Sequence, residues 1–134
     1  MISLYEKNAS NSVSLVIEFW TRMQTNRFDS VKDLFSDSFV LDWPQTNERI
    51  RGVINFVQMN REYPTVGLWR FAVSQVVGSP DAVVTDVSIS NDVICVRALT
   101  FFYIKNQKID KMIEYWPENY TPPGNRQHLT EPIK

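Results

Sequence analysis

Four β-prone runs follow one another almost without pause, Trp69–Val77, Ala82–Ser90, Val93–Lys105 and Lys108–Trp116, and nothing else in the chain limits its fold so strongly. Each is rich in β-branched and aromatic residues, which suit a pleated, half-buried surface. The breaks between them are short and made of turn formers: Gly78-Ser79-Pro80-Asp81, Asn91-Asp92 and Asn106-Gln107. Connections this short join antiparallel neighbours, because a parallel pair needs a crossover of about a dozen residues or more. The second half of the chain is therefore expected to be a four-stranded antiparallel meander.

Before Trp69 the period changes. Val13, Val16, Ile17, Trp20 and Met23 recur at helical spacing, with Ser12 placed to cap the start. Asn26-Arg27-Phe28-Asp29 interrupts that pattern, and Asp29 is expected to cap a short helix carrying Val31, Leu34 and Phe35 on one side. Ser38–Trp43 alternates as a strand, with Phe39, Leu41 and Trp43 on one face, until Pro44 removes a donor. Residues 45–49 read as a polar loop, and Val53, Phe56, Val57 and Asn60 as a third helix stopped by Tyr63-Pro64. Helices first and strands afterwards make an α+β domain. One domain over residues 1–134 is expected, with its core in 12–117 and a surface tail over 118–134.

Charge and composition remove several functional classes. Fourteen basic against fifteen acidic residues leave a net charge of -1, without the basic excess that nucleic-acid binding needs. No apolar run approaches the roughly 20 residues of a membrane span. The opening Met1-Ile2-Ser3-Leu4-Tyr5-Glu6-Lys7 lacks the regions of a signal peptide, so a cytoplasmic protein without a membrane partner is expected. A single cysteine, Cys95, and a single histidine, His128, allow neither an internal disulfide nor a zinc-ligand set, and no cofactor or metal is expected. Cys95 reads as a small buried hydrophobe.

The closing run carries the best candidate for chemistry. Alternation sends Met112, Glu114 and Trp116 to one face, placing a carboxylate between a thioether and an indole. Burial there would raise the pKa of Glu114 and make it a general acid or base. The purely structural alternative is a carboxylate paired with Arg97 or another donor to hold the sheet together. Trp43, Trp69 and Trp116 are candidate cavity walls, with ordinary core packing as the alternative, and core is the expectation for Trp20. Phe56 and Asn60 share the inward stripe of the third helix and are candidate ligand contacts, with core packing the alternative for Phe56 and helix-end bonding the alternative for the Asn60 amide. Asp86 reads equally as an exposed strand residue or a second pocket acid. Asp42, Glu48 and Arg49 belong at a solvated rim, with Glu48 in a position to act as a gate.

The order of elements resembles the nuclear transport factor 2-like superfamily, in particular its SnoaL-like branch of small bacterial proteins. The resemblance spans nearly the whole chain and is carried by Phe19-Trp20 through Asp29 to Phe35, Val40-Leu41-Asp42-Trp43-Pro44, Ile50-Arg51-Gly52 and Glu114-Tyr115-Trp116-Pro117. It implies a cystatin-like α+β roll: a curved antiparallel or mixed sheet wrapped around N-terminal helices into a cone, with an apolar pocket at its open end. It also implies a homodimer formed through the sheet. By register it turns Ala98, Thr100 and Phe102 toward the ligand, rather than Arg97 and Tyr103.

The catalytic sets of that superfamily are not reproduced. Ketosteroid isomerase-like sites need two aspartates and a tyrosine, whose positions fall at Trp43, near Thr100, and at or beside Trp20. Scytalone dehydratase-like and SnoaL-like cyclase sites need a histidine with an acid, and the one histidine lies in the tail. Limonene epoxide hydrolase-like sites need an Arg-x-Asp step, whereas Arg97-Ala98-Leu99 supplies only the arginine. The expectation is thus a small, largely apolar ligand in an aromatic cavity, with Glu114 as the lone catalytic candidate. A cofactor-independent lyase, isomerase or hydrolase using Glu114, with water or Asp86, is the alternative. A protein-interaction module using the sheet face is the third reading.

Overall fold

A computed structural model of the chain describes residues 1–134. Helix α1 (Leu4–Gln24) and a 3-10 helix (Phe28–Leu34) lead into β1 (Phe35–Trp43), β2 (Glu48–Arg51) and α2 (Val53–Glu62). Strands β3 (Arg70–Gly78), β4 (Ala82–Ser90), β5 (Cys95–Lys105) and β6 (Lys108–Tyr115) complete the fold. The six strands form one open sheet in the order β2-β1-β6-β5-β4-β3. Only β1 and β6 run parallel, so the sheet is mixed, and the expected meander β3 to β6 is antiparallel throughout. Asn106 and Gln107, at φ 50° and 62°, adopt the left-handed conformations that a two-residue hairpin requires.

Three local expectations are corrected. Helix α1 begins at Leu4, because Ser3 is its cap: the Ser3 hydroxyl oxygen accepts from the Glu6 amide at 3.1 Å. Ser12 instead sits inside the helix, buried, and donates to the Pro80 carbonyl at 2.6 Å. Asp29 caps nothing, since the 3-10 helix has no side-chain cap, and its carboxylate stands 3.5 Å from Arg61. The supposed loop after Pro44 contains β2, which turns back on β1 with Trp43 opposite Glu48 and Val40 opposite Arg51. Its residues Glu48, Arg49 and Arg51 are exposed, as suits a short charged edge strand.

One face of the sheet is covered by helices: α1 lies on β3 and β4, and α2 on β1 and β2. Phe19 of α1 is the hub of the core, with its ring 4.8 Å from Trp20, 5.4 Å from Phe102 and 5.7 Å from Phe35. Irregularities at Phe35/Val40, Val73/Gln75 and Tyr103/Ile104 interrupt the ladders. Such interruptions let a sheet bend, and here it curves around the helices as an open cone. No helix lies on the other face. Residues 118–134 are exposed and hold only one 3-10 turn, Gly124–Arg126. No helix is long and apolar enough to cross a membrane.

Candidate functional site

At one end of the sheet, α1, α2 and the strands diverge around a cavity of about 430 Å³. The C-terminal half of α1 supplies Trp20 and Met23, α2 supplies Phe56, Met59 and Asn60, and the end of β1 supplies Trp43. Trp69, just before β3, and Phe71 at its start come from one edge, and Met112 and Glu114 come from the end of β6, with Trp116 just after it. Their aromatic rings meet at steep angles. Trp43 and Trp116 are 6.5 Å apart at 71°, and Tyr63 and Trp69 are 5.5 Å apart at 73°.

Two of the tryptophans have their backbones held by the same device. The Asn26 side chain donates to the Trp69 carbonyl at 2.8 Å and accepts from the Trp69 amide at 2.8 Å. The Gln45 side chain likewise accepts from the Trp116 amide at 2.6 Å and donates to its carbonyl at 3.2 Å. A primary amide presents one donor and one acceptor side by side, so it can imitate a neighbouring strand where the true ladder has ended. Neither Asn26 nor Gln45 is marked by any pattern in the sequence, because each pairing depends on where the chain returns in space.

Glu114 lies in the cavity wall with 5% of its surface exposed. Thr100 is its direct partner across the β5–β6 ladder and donates to Oε2 at 2.6 Å. From β1 the Trp43 indole Nε1 donates to Oε1 at 3.0 Å. Burial pushes the Glu114 carboxyl above the ordinary carboxylate range, while the bonds from Thr100 and Trp43 act in the opposite direction. No ion pair reaches it. Of the donors in the structural alternative, the partners are Thr100 and Trp43 rather than Arg97, which lies on the outer face, where its guanidinium grips Asp86 through Nε at 2.7 Å and also through an Nη. Asp86 is thereby removed from the cavity, and the Arg97 guanidinium holds its carboxyl below the usual range.

An indole N–H can only donate, whereas a threonine hydroxyl donates or accepts. Thr100 therefore suits Glu114 in both protonation states: it donates to the carboxylate, or accepts from the neutral acid. The site can offer a ligand a hydrogen-bonding acid or a negative charge, and either can take part in proton transfer.

Of the residues expected at a ligand, Trp43, Phe56, Asn60, Trp69, Met112, Glu114 and Trp116 line the cavity. The Asn60 amide nitrogen is satisfied inside α2, donating to the Phe56 carbonyl at 2.9 Å. Ala98, Thr100 and Phe102 are placed differently. They do face the helices, but they are fully buried and lie behind the cavity wall. Strand alternation assigns a residue to a face and says nothing of its depth along the cone.

Cys95, expected to be buried, is exposed at the first position of β5. Glu48 stands at the rim and lines the cavity, while Asp42 and Arg49 pair with each other at 2.6 and 2.8 Å. His128 is exposed in the tail and is not part of the lining. Sequence reasoning missed Met59, Tyr63, Phe71 and Glu118, and it assigned Trp20 to the core alone. Met59 and Tyr63 continue the α2 stripe through Phe56 and were the legible ones. Trp20 is buried and lines the cavity too, with its indole donating to Thr85 at 3.2 Å.

The architecture has close counterparts among solved structures. A Kribbella flavida protein named as a candidate ketosteroid isomerase superposes with a TM-score of 0.88 at 21% identity, over 98% of this chain and 95% of that one. A nuclear transport factor 2-like protein of unknown function from Burkholderia xenovorans superposes with a TM-score of 0.77 at 22% identity, over 93% and 97%. This chain has the nuclear transport factor 2-like fold. A SnoaL-like protein of unknown function from Burkholderia thailandensis shares that fold, with a TM-score of 0.66 at 14% identity over 81% and 96%. No protein-family model and no curated protein matches the sequence. Within the nuclear transport factor 2-like framework, Trp43 and Thr100 are the two residues bonded to Glu114.

Proposed function

We propose that this protein binds a small, largely apolar molecule in the cavity beside Glu114. The observation that carries the reading is the cavity itself: about 430 Å³, walled mainly by tryptophan, phenylalanine and methionine, with a single buried polar group on one wall. Ligand sites commonly combine apolar walls with a few fixed polar groups that set orientation. Glu114 is fixed in this sense, since Trp43 and Thr100 hold one carboxyl oxygen each.

The test is a thermal-shift and tryptophan-fluorescence screen of small apolar compounds, because a ligand that prefers the folded state raises the apparent melting temperature. Hits should lose their effect in Trp43→Ala. A library that leaves both the melting curve and the emission unchanged counts against the proposal.

A second reading, that the bound molecule is also transformed, draws on the raised pKa of Glu114 at the cavity wall. In this reading Glu114 is the proton-transfer group of a cofactor-independent isomerase, lyase or hydrolase. It predicts deuterium uptake from heavy water into a bound carbonyl compound, abolished in Glu114→Gln. Equal uptake by both proteins removes Glu114 from that role.

We also propose a homodimer. The outer faces of β5 and β6 present Phe101, Tyr103 and Tyr115, each more than a third exposed, with no helix over them. Assignment to the cytoplasm of a bacterium accompanies this reading, as does a single domain over residues 1–134.

A further inference from the structure

We infer that the cavity selects an organic amine in its protonated form, with the cationic nitrogen beside Glu114 and the apolar body against the tryptophans. The inference rests on the binding reading above and names the chemical class of the ligand.

Three features of the lining point the same way. Its charged residues are Glu48, Glu114 and Glu118, with no lysine, arginine or histidine among them. Glu114, the buried one, has only neutral donors, the Trp43 indole and the Thr100 hydroxyl. A carboxylate this deep ordinarily has a cation, and here the neighbouring bases are engaged elsewhere: Arg49 and Lys111 with Asp42, Arg97 with Asp86. The missing countercharge is then what a ligand would bring.

The aromatic geometry supplies the second requirement. Trp43 with Trp116, and Tyr63 with Trp69, meet edge to face at 71° and 73°, making two corners in which a ring face can meet a ligand. Rings set at such angles are how proteins surround ammonium groups, through attraction between the cation and the negative ring face. An anionic ligand would meet three carboxyl groups and no base. A neutral ligand would leave the acidity of the rim without a role.

The titratable groups around Glu114 are few. Its own strand contributes no other to the cavity, and Trp43 of β1, Thr100 of β5 and, across the cavity, Phe56 and Asn60 of α2 do not titrate. Glu48 and Glu118 at the rim and the Tyr63 phenol complete the set. An amine seated beside Glu114 favours its carboxylate form, so binding is accompanied by loss of the carboxyl proton wherever that proton is held in the free protein.

Three probes of one skeleton test the charge alone: N,N-dimethylbenzylammonium, its neutral isostere isobutylbenzene, and the anion phenylacetate, each titrated against tryptophan fluorescence at neutral pH. The ammonium is expected to bind about tenfold tighter than isobutylbenzene, with phenylacetate weakest. In Glu114→Gln that preference for the ammonium over isobutylbenzene should fall below about threefold, because glutamine removes the charge and can still accept from Trp43 and donate to Thr100. Should Glu114→Gln fail to fold, the double variant Glu48→Gln/Glu118→Gln takes its place. It should reduce the preference for the ammonium over isobutylbenzene about two- to threefold, since rim charges act through the screened field. Isobutylbenzene or phenylacetate binding as tightly as the ammonium overturns the inference and leaves the binding reading standing, as does an undiminished preference in either variant. Failure of all three probes to bind a folded wild type overturns both.

Discussion

Glu114 has two hydrogen-bond donors and no countercharge, and this one imbalance sets how the protein should respond to pH. Its pKa is raised in the folded state by burial, so on raising the pH the unfolded chain gives up the proton first. Above the ordinary carboxylate range the unfolded state then binds fewer protons than the folded one, and stability declines until the pH has passed the folded-state value. The contribution of Glu114 is fully present below its unfolded pKa and is lost as the pH rises. Asp42, Asp86 and Asp110 behave oppositely: Arg49, Arg97 and the Ser36 and Ser38 hydroxyls depress their pKa values, so their contributions are lost as the pH falls. Substitution at position 114 leaves those three in place. Glu114→Gln should therefore gain on the wild type as the pH rises, by about 1.4 kcal/mol for each unit by which the folded pKa is raised. Urea denaturation of both proteins from about pH 5 to pH 8 reads the difference; curves that stay parallel would remove the ionisation penalty from this site. Thr100→Val keeps the shape and removes the hydroxyl. It should cost about 1–3 kcal/mol, since Oε2 loses its buried partner.

At the scale of elements, α1 approaches β3 closely at Gly78. A Cβ on Gly78 would stand 2.7 Å from a methyl of Val13 and 2.9 Å from one of Val83. Gly78→Ala should thus destabilise the fold by about 1–3 kcal/mol through overpacking. Val13→Ala made in the same chain should recover part of that loss, because it removes one clashing methyl, and a strictly additive pair would contradict the contact. The end of α1 is tied to the same strand through Asn26, whose left-handed φ of 61° glycine can also adopt. Asn26→Gly keeps that conformation and deletes both bonds to Trp69. The expected loss is about 1–3 kcal/mol, with a shift in tryptophan emission as the β3 end loosens; an unchanged spectrum and melting curve would show the amide to be idle.

These elements also explain what could be read in advance. Strands β3 to β6 were legible because each turn between them is local and built from residues that turns require. Strand β2 was not, because Glu48, Arg49 and Arg51 give an exposed edge strand no hydrophobic alternation. The face of Glu114 followed from alternation alone. Its partner Trp43 did not, since the parallel pairing of β1 with β6 joins residues 71 apart in the chain and leaves no local trace. Ala98, Thr100 and Phe102 face the helices, as alternation implies, and lie deeper than the cavity lining. Only the curvature of the whole sheet decides which inward residues reach the cavity.

For the whole molecule the open question is the uncovered side of that sheet. The helices occupy one face, and the other carries Leu99, Phe101, Tyr103, Ile113 and Tyr115 from β5 and β6. Phe101 and Tyr115 already pack edge to face at 6.2 Å, giving a firm aromatic ridge that remains more than a third exposed. A patch of this kind rimmed by charge marks an interaction surface, and a two-fold axis would place the ridge of one copy on that of another. A stable pair needs about 1,200–2,000 Å² of total buried surface, which favours use of most of the β4–β6 face rather than one strand. Sedimentation equilibrium should accordingly give twice the mass of one chain at micromolar concentration. Phe101→Asp, which sets a charge on the ridge, should give the single-chain mass while keeping the fold, because the side chain points away from the core. The cavity opens on the opposite face, so the monomeric variant should bind cavity ligands within about threefold of the wild type, a difference of less than about 0.7 kcal/mol. A wild type that sediments as one chain would refute the dimer. A Phe101→Asp monomer that has also lost ligand would instead tie the cavity to the pairing of the sheets.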